Sequence, residues 1–128
     1  MVANLLDTHA LIWFLDGDDS LSKTARKAIE NTRSVNFVSI ASLWEIAIKV
    51  SLKKLEINTS LADVFSLVLR NGFVILPILP EEILVLAGLS FHHRDPFDRL
   101  IIAQALYNDL AVITKDDNFK AYEVNCIW

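Results

Sequence analysis

Short apolar runs alternate with helical patterns along this chain, and that alternation restricts its fold more than any other feature. The first run, residues 2–6, stops at Asp7-Thr8, as a buried parallel strand does. Parallel neighbours need a crossover between them, usually a helix, so strands that alternate with helices indicate a parallel sheet covered on both faces. We therefore predict an α/β fold, a three-layer α/β/α sandwich with a central, mostly parallel sheet. The predicted strands cover residues 2–6, 35–38, 73–79, 111–113 and 124–127.

Apolar residues at helical spacing, with start and stop signals, predict the helices between these strands. Ser20 is the expected N-cap of the second helix, and Asn71-Gly72 is a good stop signal for the fourth. Asp95-Pro96 starts the last long helix, with an acid at the N-cap and proline at the first helical position. The predicted helices cover residues 9–15, 21–31, 40–54, 60–70, 80–89 and 95–108, and a helical turn is expected at 117–122.

Length and composition favour one domain, residues 1–128, that works in the cytoplasm. The chain is 53% hydrophobic, but no apolar stretch reaches the roughly 18 to 20 residues that span a bilayer, and its start does not resemble a signal peptide. Cys126 is the only cysteine, which excludes an internal disulfide and a cysteine zinc site. The net charge of −4 argues against broad neutralisation of a nucleic acid, although local lysines and arginines could still border a nucleic-acid site.

Four acidic residues are candidates for a site, and each also has a structural explanation. Asp7 could cap the helix that follows it, and Glu45 could form a surface pair with Lys49 one turn later. Asp116 could cap the turn after its strand. Asp98 is harder to explain, because it shares a helical face with the apolar residues that should pack inward, and a buried carboxylate needs a partner.

Taken together, the four acids suggest a metal site. In open parallel sheets, sites form at the carboxyl ends of the strands where the strand order reverses. Asp7 and Asp116 both follow strands, and Glu45 and Asp98 lie near the starts of helices that border the same edge. Two like charges about 4 Å apart repel by about 4 kcal/mol at an effective dielectric constant near 20. Mg²⁺ or Mn²⁺ would remove that cost and could activate water for attack on a phosphate.

The motifs around these acids resemble the PIN-domain family, and in particular the VapC-like ribonuclease toxins of VapBC toxin–antitoxin pairs. Asp7 lies in NLLDTHALIWFL and Glu45 in SIASLWEIAIK. Asp98 lies in HHRDPFDRLIIAQAL, and LAVITKDDNFKAY contains Thr-x-Asp and so indicates Asp116 rather than Asp117. The four motifs occur in the family's order and cover nearly the whole chain. Asp95 fits a variant of the third motif, and we interpret it as a helix cap.

The resemblance implies a metal-dependent endoribonuclease with Mg²⁺ or Mn²⁺ bound by Asp7, Asp98 and Asp116, and with Glu45 as a ligand or as a group that positions water. It also implies an RNA substrate, a homodimer, and inhibition by a VapB-like antitoxin whose tail covers the acidic site. The high hydrophobic fraction is compatible with two such protein interfaces.

Other residues have more ordinary explanations. Isolated histidines are usually polar surface or core groups, and we expect packing roles for Trp13 and Trp44, although tryptophan can stack on bases. Thr114 could lie near the metal or pack at a strand end, and Arg99 could contact a phosphate or a neighbouring carboxylate. The remaining residues of this kind are His9, His92, His93 and Trp128.

Three other functions compete with a nuclease. A phosphatase that uses Asp7 as a nucleophile would carry a second acid two positions later, where this chain has His9. A phosphoacceptor receiver domain would carry its acid at the end of a middle strand, and the strand at 73–79 has none. A catalytically silent PIN fold that acts as a binding module is the third, and the retention of all four acids argues against it.

Overall fold

The computed structural model describes residues 2–128, and in that range strands and helices alternate as predicted. The strands are β1 (Val2–Leu6), β2 (Ser34–Ser39), β3 (Val74–Leu76), β4 (Ala111–Ile113) and β5 (Cys126–Ile127). The helices are α1 (Thr8–Asp16), α2 (Lys23–Glu30), α3 (Ile40–Ser51), α4 (Leu61–Arg70), α5 (Pro80–Ala87) and α6 (Pro96–Asn108), and a 3₁₀ helix spans Asp117–Tyr122.

The strands form one sheet in the order β3-β2-β1-β4-β5, and every neighbouring pair is parallel. The chain builds outward from β1 to β2 and β3, then returns to the other side of β1 with β4 and β5. The strand order therefore reverses between β1 and β4. In parallel sheets this reversal opens a crevice at the carboxyl ends of the strands, and Asp7 and Thr114 are the residues that follow β1 and β4 there.

Side chains on the two faces of the sheet enter separate apolar clusters, which confirms the predicted three-layer sandwich. Leu6 packs with residues of α1, α2 and α3, including Leu11 and Ile46. Its neighbour Leu5 points to the opposite face and packs with Ile101 of α6 and with Phe119. Because successive residues of a strand face opposite sides, a strand buried on both faces needs the unbroken apolar run that the sequence contains.

Several predicted boundaries were wrong by a few residues, for local reasons. The second helix is capped by Ser22 and not by Ser20, because the Ser22 hydroxyl accepts a hydrogen bond from the Ala25 backbone N–H. The preceding residues form a turn in which Leu21 N–H donates to the Asp18 carbonyl. Helix α3 ends at Ser51 rather than residue 54, and Lys53 adopts a left-handed conformation with φ +58°.

The two edge strands of the sheet, β3 and β5, are shorter than predicted. Strand β3 covers only Val74–Leu76, and Pro77, which has no N–H to donate to a strand neighbour, follows it directly. Strand β5 covers only Cys126–Ile127. Within residues 2–128, no helix is both long and apolar enough to cross a membrane.

Candidate active site

Asp7 is held at the end of β1 by groups from two directions. Its Oδ1 accepts a hydrogen bond of 2.8 Å from the Ala10 backbone N–H, so it caps α1 as the simplest interpretation of the sequence predicts. Its Oδ2 accepts a bond of 2.6 Å from the Thr114 hydroxyl. Burial raises the pKa of Asp7, and these two hydrogen bonds oppose that shift. The cap therefore does not exclude a role in a site, because the same carboxylate faces the crevice.

Thr114 connects the first acid with the last. The Thr114 hydroxyl accepts a hydrogen bond of 3.0 Å from the backbone N–H of Asp116, so its own proton is free to be donated to Asp7. Asp116 is half-buried and caps the 3₁₀ helix through a 2.9 Å bond from Asn118 N–H. The sequence left open whether Thr114 lies near the site or packs at the strand end. The structure shows that it orients Asp7 and fixes the loop that carries Asp116.

Glu45 is buried on α3 and reaches the same edge through Thr8. One carboxylate oxygen accepts a 2.6 Å bond from the Thr8 hydroxyl, and the other forms a 2.7 Å ion pair with Lys49. The predicted i,i+4 pair with Lys49 is therefore present, although Glu45 is only 4% exposed and is not a surface residue. Sequence reasoning did not identify Thr8. Its position directly after Asp7, at a strand end, was the only available signal.

Asp98 lies in the first turn of α6, where its carboxylate is mostly withdrawn from water. Its backbone N–H donates a 3.0 Å hydrogen bond to Asp95, which confirms Asp95 as the helix cap. Its side chain is 20% exposed. Burial, followed by the negative charges of the nearby carboxylates, raises the pKa of Asp98 to about 8. The carboxylates that act on it are, in decreasing order, those of Asp95, Asp7, Glu45 and Asp116.

A hydrogen-bond chain approaches Asp98 from the other side. The Tyr122 hydroxyl accepts bonds of 3.1 Å from the His93 backbone N–H and from the Arg99 guanidinium. The same hydroxyl lies 2.8 Å from His93 Nδ1 and donates to the His93 carbonyl at 3.3 Å. The other ring nitrogen of His93, Nε2, points to Asp98 Oδ2 across 3.4 Å, a distance too long for a strong hydrogen bond.

Arg99 does not contact a neighbouring carboxylate, which is one of the two roles that the sequence suggested for it. It is buried, and its guanidinium donates to the carbonyls of Ser90 and Leu89 at 2.8 and 3.3 Å and lies 4.1 Å from the centre of the Phe91 ring. It therefore fixes the loop before α6 and contacts no carboxylate of the acidic edge. Tyr122, which sequence reasoning missed, joins this loop to the 3₁₀ helix.

Of the two tryptophans that were expected to pack in the core or at an interface, one packs against the core. Trp13 is half-buried and packs against the core, but Trp44 is 59% exposed and forms an edge-to-face pair with Phe97 across α3 and α6. His9 is exposed on α1, and His92 contacts the Tyr122 ring edge to face.

The chemistry of the four acids fits a hard divalent cation. All four offer carboxylate oxygens as ligands. The negative charges of the other three contribute to the raised pKa of Asp98, and a cation would relieve that repulsion. In the part of the chain that the structure describes, no three acidic, histidine or cysteine side chains are grouped closely enough to hold an ion as they stand. Coordination by three of the acids would therefore require their side chains to move.

Comparison with known proteins identifies the family of the chain. The sequence model of the PIN-domain family matches residues 5–125 of this chain. No curated protein sequence gives a match. The fold resembles that in the crystal structure of VapBC2 from Rickettsia felis bound to a DNA fragment from their promoter, with a TM-score of 0.75 and 13% identity over 98% of this chain and 97% of that one.

Other solved structures share the same architecture. The structure of VapBC-1 from nontypeable Haemophilus influenzae has a TM-score of 0.71 and 13% identity, over 98% of this chain and 96% of that one. VapC20 from Mycobacterium tuberculosis, a sarcin-ricin loop cleaving toxin, has a TM-score of 0.68 and 14% identity, over 92% of this chain and 93% of that one. The family model and the order of the strands agree with the motifs in the sequence, and the chain belongs to the PIN-domain family.

Proposed function

We propose that this protein is a metal-dependent endoribonuclease and the toxin of a VapBC-type toxin–antitoxin pair. The observation that carries the proposal is the state of Asp98, a mostly buried carboxylate surrounded by the negative charges of Asp7, Glu45 and Asp116. A purely structural acid would be expected to have hydrogen-bond donors around it instead. Membership of a family of nucleases and a fold shared with VapC toxins support the same function.

In this proposal Asp7, Asp98 and Asp116 hold Mg²⁺ or Mn²⁺, and Glu45 is either a ligand or the group that positions the attacking water. When bound, the metal supplies Lewis acidity, which activates water and neutralises charge on the phosphate. Thr114 and the Ala10 N–H keep the Asp7 carboxylate turned toward the crevice. Thr8 does the same for Glu45, while Lys49 balances part of its charge.

The reaction is hydrolysis of an RNA phosphodiester. The oxygen of water forms a bond to phosphorus, and the bond to the 3′ oxygen breaks, which leaves 5′-phosphate and 3′-hydroxyl ends as the family resemblance implies. No side chain needs to act as a covalent nucleophile. The half-buried acids and their hydrogen-bonded supports provide positioning and charge, which are the main contributions that a protein makes to phosphoryl transfer.

We further propose that the protein forms a homodimer and binds a VapB-like antitoxin, and that it acts in the cytoplasm. Several of the similar structures are of VapBC proteins, one of them with promoter DNA. Large apolar side chains at the surface could serve both protein interfaces, and six of them are more than half exposed, namely Val2, Trp44, Leu52, Leu69, Leu84 and Phe91.

The decisive experiment is cleavage of labelled tRNA and rRNA fragments by the purified, antitoxin-free protein, with Mg²⁺ or Mn²⁺ and with EDTA. We expect discrete cuts that require metal and disappear in Asp98→Asn. The matched control is Asp109→Asn, which makes the same change at the other end of α6, at an exposed left-handed position that asparagine tolerates. Cutting that persists in Asp98→Asn would disprove the site assignment.

A catalytically silent binding module is the second candidate, and one observation favours it. The acids are not grouped as a ready-made metal site in the described part of the chain. If the folded protein cuts none of the RNAs and its melting temperature does not respond to Mg²⁺ or Mn²⁺, the silent module replaces the nuclease. If metal raises the melting temperature but no RNA is cut, the metal site stands and the substrate is a different one.

A further inference from the structure

An open cavity of about 410 Å³ adjoins the acidic edge, and the proposed chemistry uses only part of its lining. The cavity lies between α1 and the loop that follows β4. Asp7 and Asp116 contribute the carboxylates that we assign to the metal. The other lining residues are His9, Trp13, Lys115 and Asp117.

Two aromatic rings form one wall of this cavity. His9 and Trp13 are four residues apart on α1, so their side chains lie on the same face of the helix. Their ring centroids are 5.5 Å apart, with the planes inclined by 35°. The Trp128 ring packs beside Trp13, with the two ring centroids 5.8 Å apart, and this packing limits the movement of the Trp13 ring. The wall is therefore a fixed aromatic surface beside an open space.

The positive charge of Lys115 lies over one of the rings. The Lys115 Nζ is 5.9 Å from the centre of the Trp13 ring, and Lys115 is exposed. The neighbouring Lys120 pairs with Asp117 at 3.1 Å, whereas no carboxylate between residues 2 and 128 lies within ion-pair distance of Lys115. The charge of Lys115 is thus available to a ligand.

We propose that this cavity is a nucleotide subsite, in which a base next to the scissile phosphate stacks on Trp13 and His9 while Lys115 contacts a flanking phosphate. The inference rests on the proposed nuclease function. An aromatic surface, a free cation and metal-binding acids in one cavity match the three parts of a nucleotide in RNA, namely its base, its phosphate and the bond to be cut. A cationic protein segment is a poorer match, because Lys115 would repel it.

The exposed pair Trp44 and Phe97 provides a matched control. Trp44 is also an exposed aromatic residue on a helix that borders the acidic edge. Its ring packs edge to face on Phe97 and does not line the cavity. If any exposed tryptophan sufficed for RNA binding, the two tryptophans would behave alike.

The test measures RNA binding rather than cleavage, by fluorescence anisotropy of a labelled single-stranded RNA at low salt with Mg²⁺. The Asp98→Asn protein is used so that the RNA stays intact. We expect Trp13→Leu to weaken binding by about 5- to 100-fold, the range of one base–aromatic stack. The dissociation constant of Trp13→Phe, which keeps an aromatic face, should stay within a few-fold of the parent value. That of Trp44→Leu should stay within about twofold.

Lys115 is tested through salt dependence, because this exposed residue can be changed without disturbing the core. Lys115→Gln should lower the slope of log Kd against log salt by about 1, and Lys23→Gln, an exposed lysine on α2, should leave it unchanged. Unfolding curves establish that each variant is folded. If Trp13→Leu destabilises the protein, His9→Ala, at an exposed position, provides a second test of the aromatic wall.

The outcomes separate this subsite from the nuclease itself. Equal RNA binding by Trp13→Leu and its parent would overturn the subsite, while metal-dependent cleavage would still stand. Trp13-dependent binding by a protein that cuts no RNA would keep the subsite and overturn the nuclease. If Trp13→Leu weakens binding of an oligo-arginine peptide but not of RNA, the cavity accepts a cationic protein segment and the nucleotide assignment is wrong.

Discussion

Two regions of this protein bury carboxylates, and they do so in opposite ways. Glu82 on α5 is completely buried, and its oxygens accept hydrogen bonds from Leu79 N–H at 2.8 Å, Gln104 Nε2 at 3.2 Å and Asn108 Nδ2 at 2.8 Å. Asp98 is less deeply buried, yet burial and then the negative charges of the carboxylates around it raise its pKa to about 8. Full burial with donors stabilises a fold, whereas partial burial among like charges costs stability and prepares a site for a cation.

The largest effect on stability is expected from Glu82→Ala. The variant removes a fully buried carboxylate that accepts hydrogen bonds from three N–H donors, so the free energy of unfolding should fall by about 3 kcal/mol, as measured by chemical denaturation. Glu81→Ala removes the exposed acid beside it in the same turn and should cost about 0.5 kcal/mol or less. Equal effects of the two changes would show that the Glu82 hydrogen bonds contribute little.

A divalent metal should stabilise the acidic edge by a similar amount. At about 100 times its dissociation constant, Mg²⁺ or Mn²⁺ adds about 2.7 kcal/mol to the free energy of unfolding. Because Asp98 must lose its proton to bind metal, the affinity should rise as the pH increases toward 8. Thermal unfolding with and without EDTA measures the effect, and Asp98→Asn should abolish most of it. A metal shift of the same size in that variant would place the ion elsewhere.

Without metal, Asp98→Asn should make the protein more stable. The pKa of Asp98 is raised in the folded state, so its contribution to stability is full below pH 4 and is lost as the pH rises through about 8. Asparagine does not ionise, and the variant should therefore gain about 2 kcal/mol over the parent at pH 9 and little at pH 5. The shift from 3.8 to about 8 sets an upper bound of about 6 kcal/mol. Denaturation in EDTA at both pH values tests this, and a pH-independent difference would contradict it.

The smallest effect is expected from Asp95→Ser. Serine caps helices almost as well as aspartate, so the free energy of unfolding should change by about 0.5 kcal/mol or less. RNA cleavage should continue, because the Asp95 carboxylate accepts the Asp98 backbone N–H and is assigned to the cap. Asp95→Ala, which cannot cap, should lose about 1 kcal/mol. Loss of cleavage in a stable Asp95→Ser protein would make Asp95 a ligand.

The same contrast explains what the sequence could predict. Asp7, Asp98 and Asp116 follow strands or begin helices, so local pattern and sheet topology were enough to bring them to one edge. The role of Glu82 was missed. In the pattern Pro80-Glu81-Glu82, both acids lie at a helix start, where acids usually favour the helix dipole, but only Glu81 is exposed.

Two of the three partners of Glu82 lie 22 and 26 residues further along the chain, and no local pattern indicates these two contacts. Arg99 is a similar case, because its guanidinium turns away from the adjacent Asp98 to two carbonyls and a tyrosine. The cap of α2 was assigned to Ser20 instead of Ser22 because two serines lie within one turn, and either side chain can cap a helix. Local chemistry thus predicted the candidate site, and long-range contacts determine what surrounds it.

The chain from Arg99 through Tyr122 and His93 to Asp98 has a mechanical consequence. Arg99 is bonded to the carbonyls of Leu89 and Ser90, and the His93 main chain is bonded to Tyr122, so the loop before α6 is tied to the side chains that approach Asp98. The loop and the Tyr122 side chain therefore cannot move independently, and the His93 ring that faces Asp98 belongs to the same unit. A partner that pressed on the exposed Phe91 ring would push on Arg99 and so on this loop, from a surface whose residues do not line the cavity beside Asp7 and Asp116.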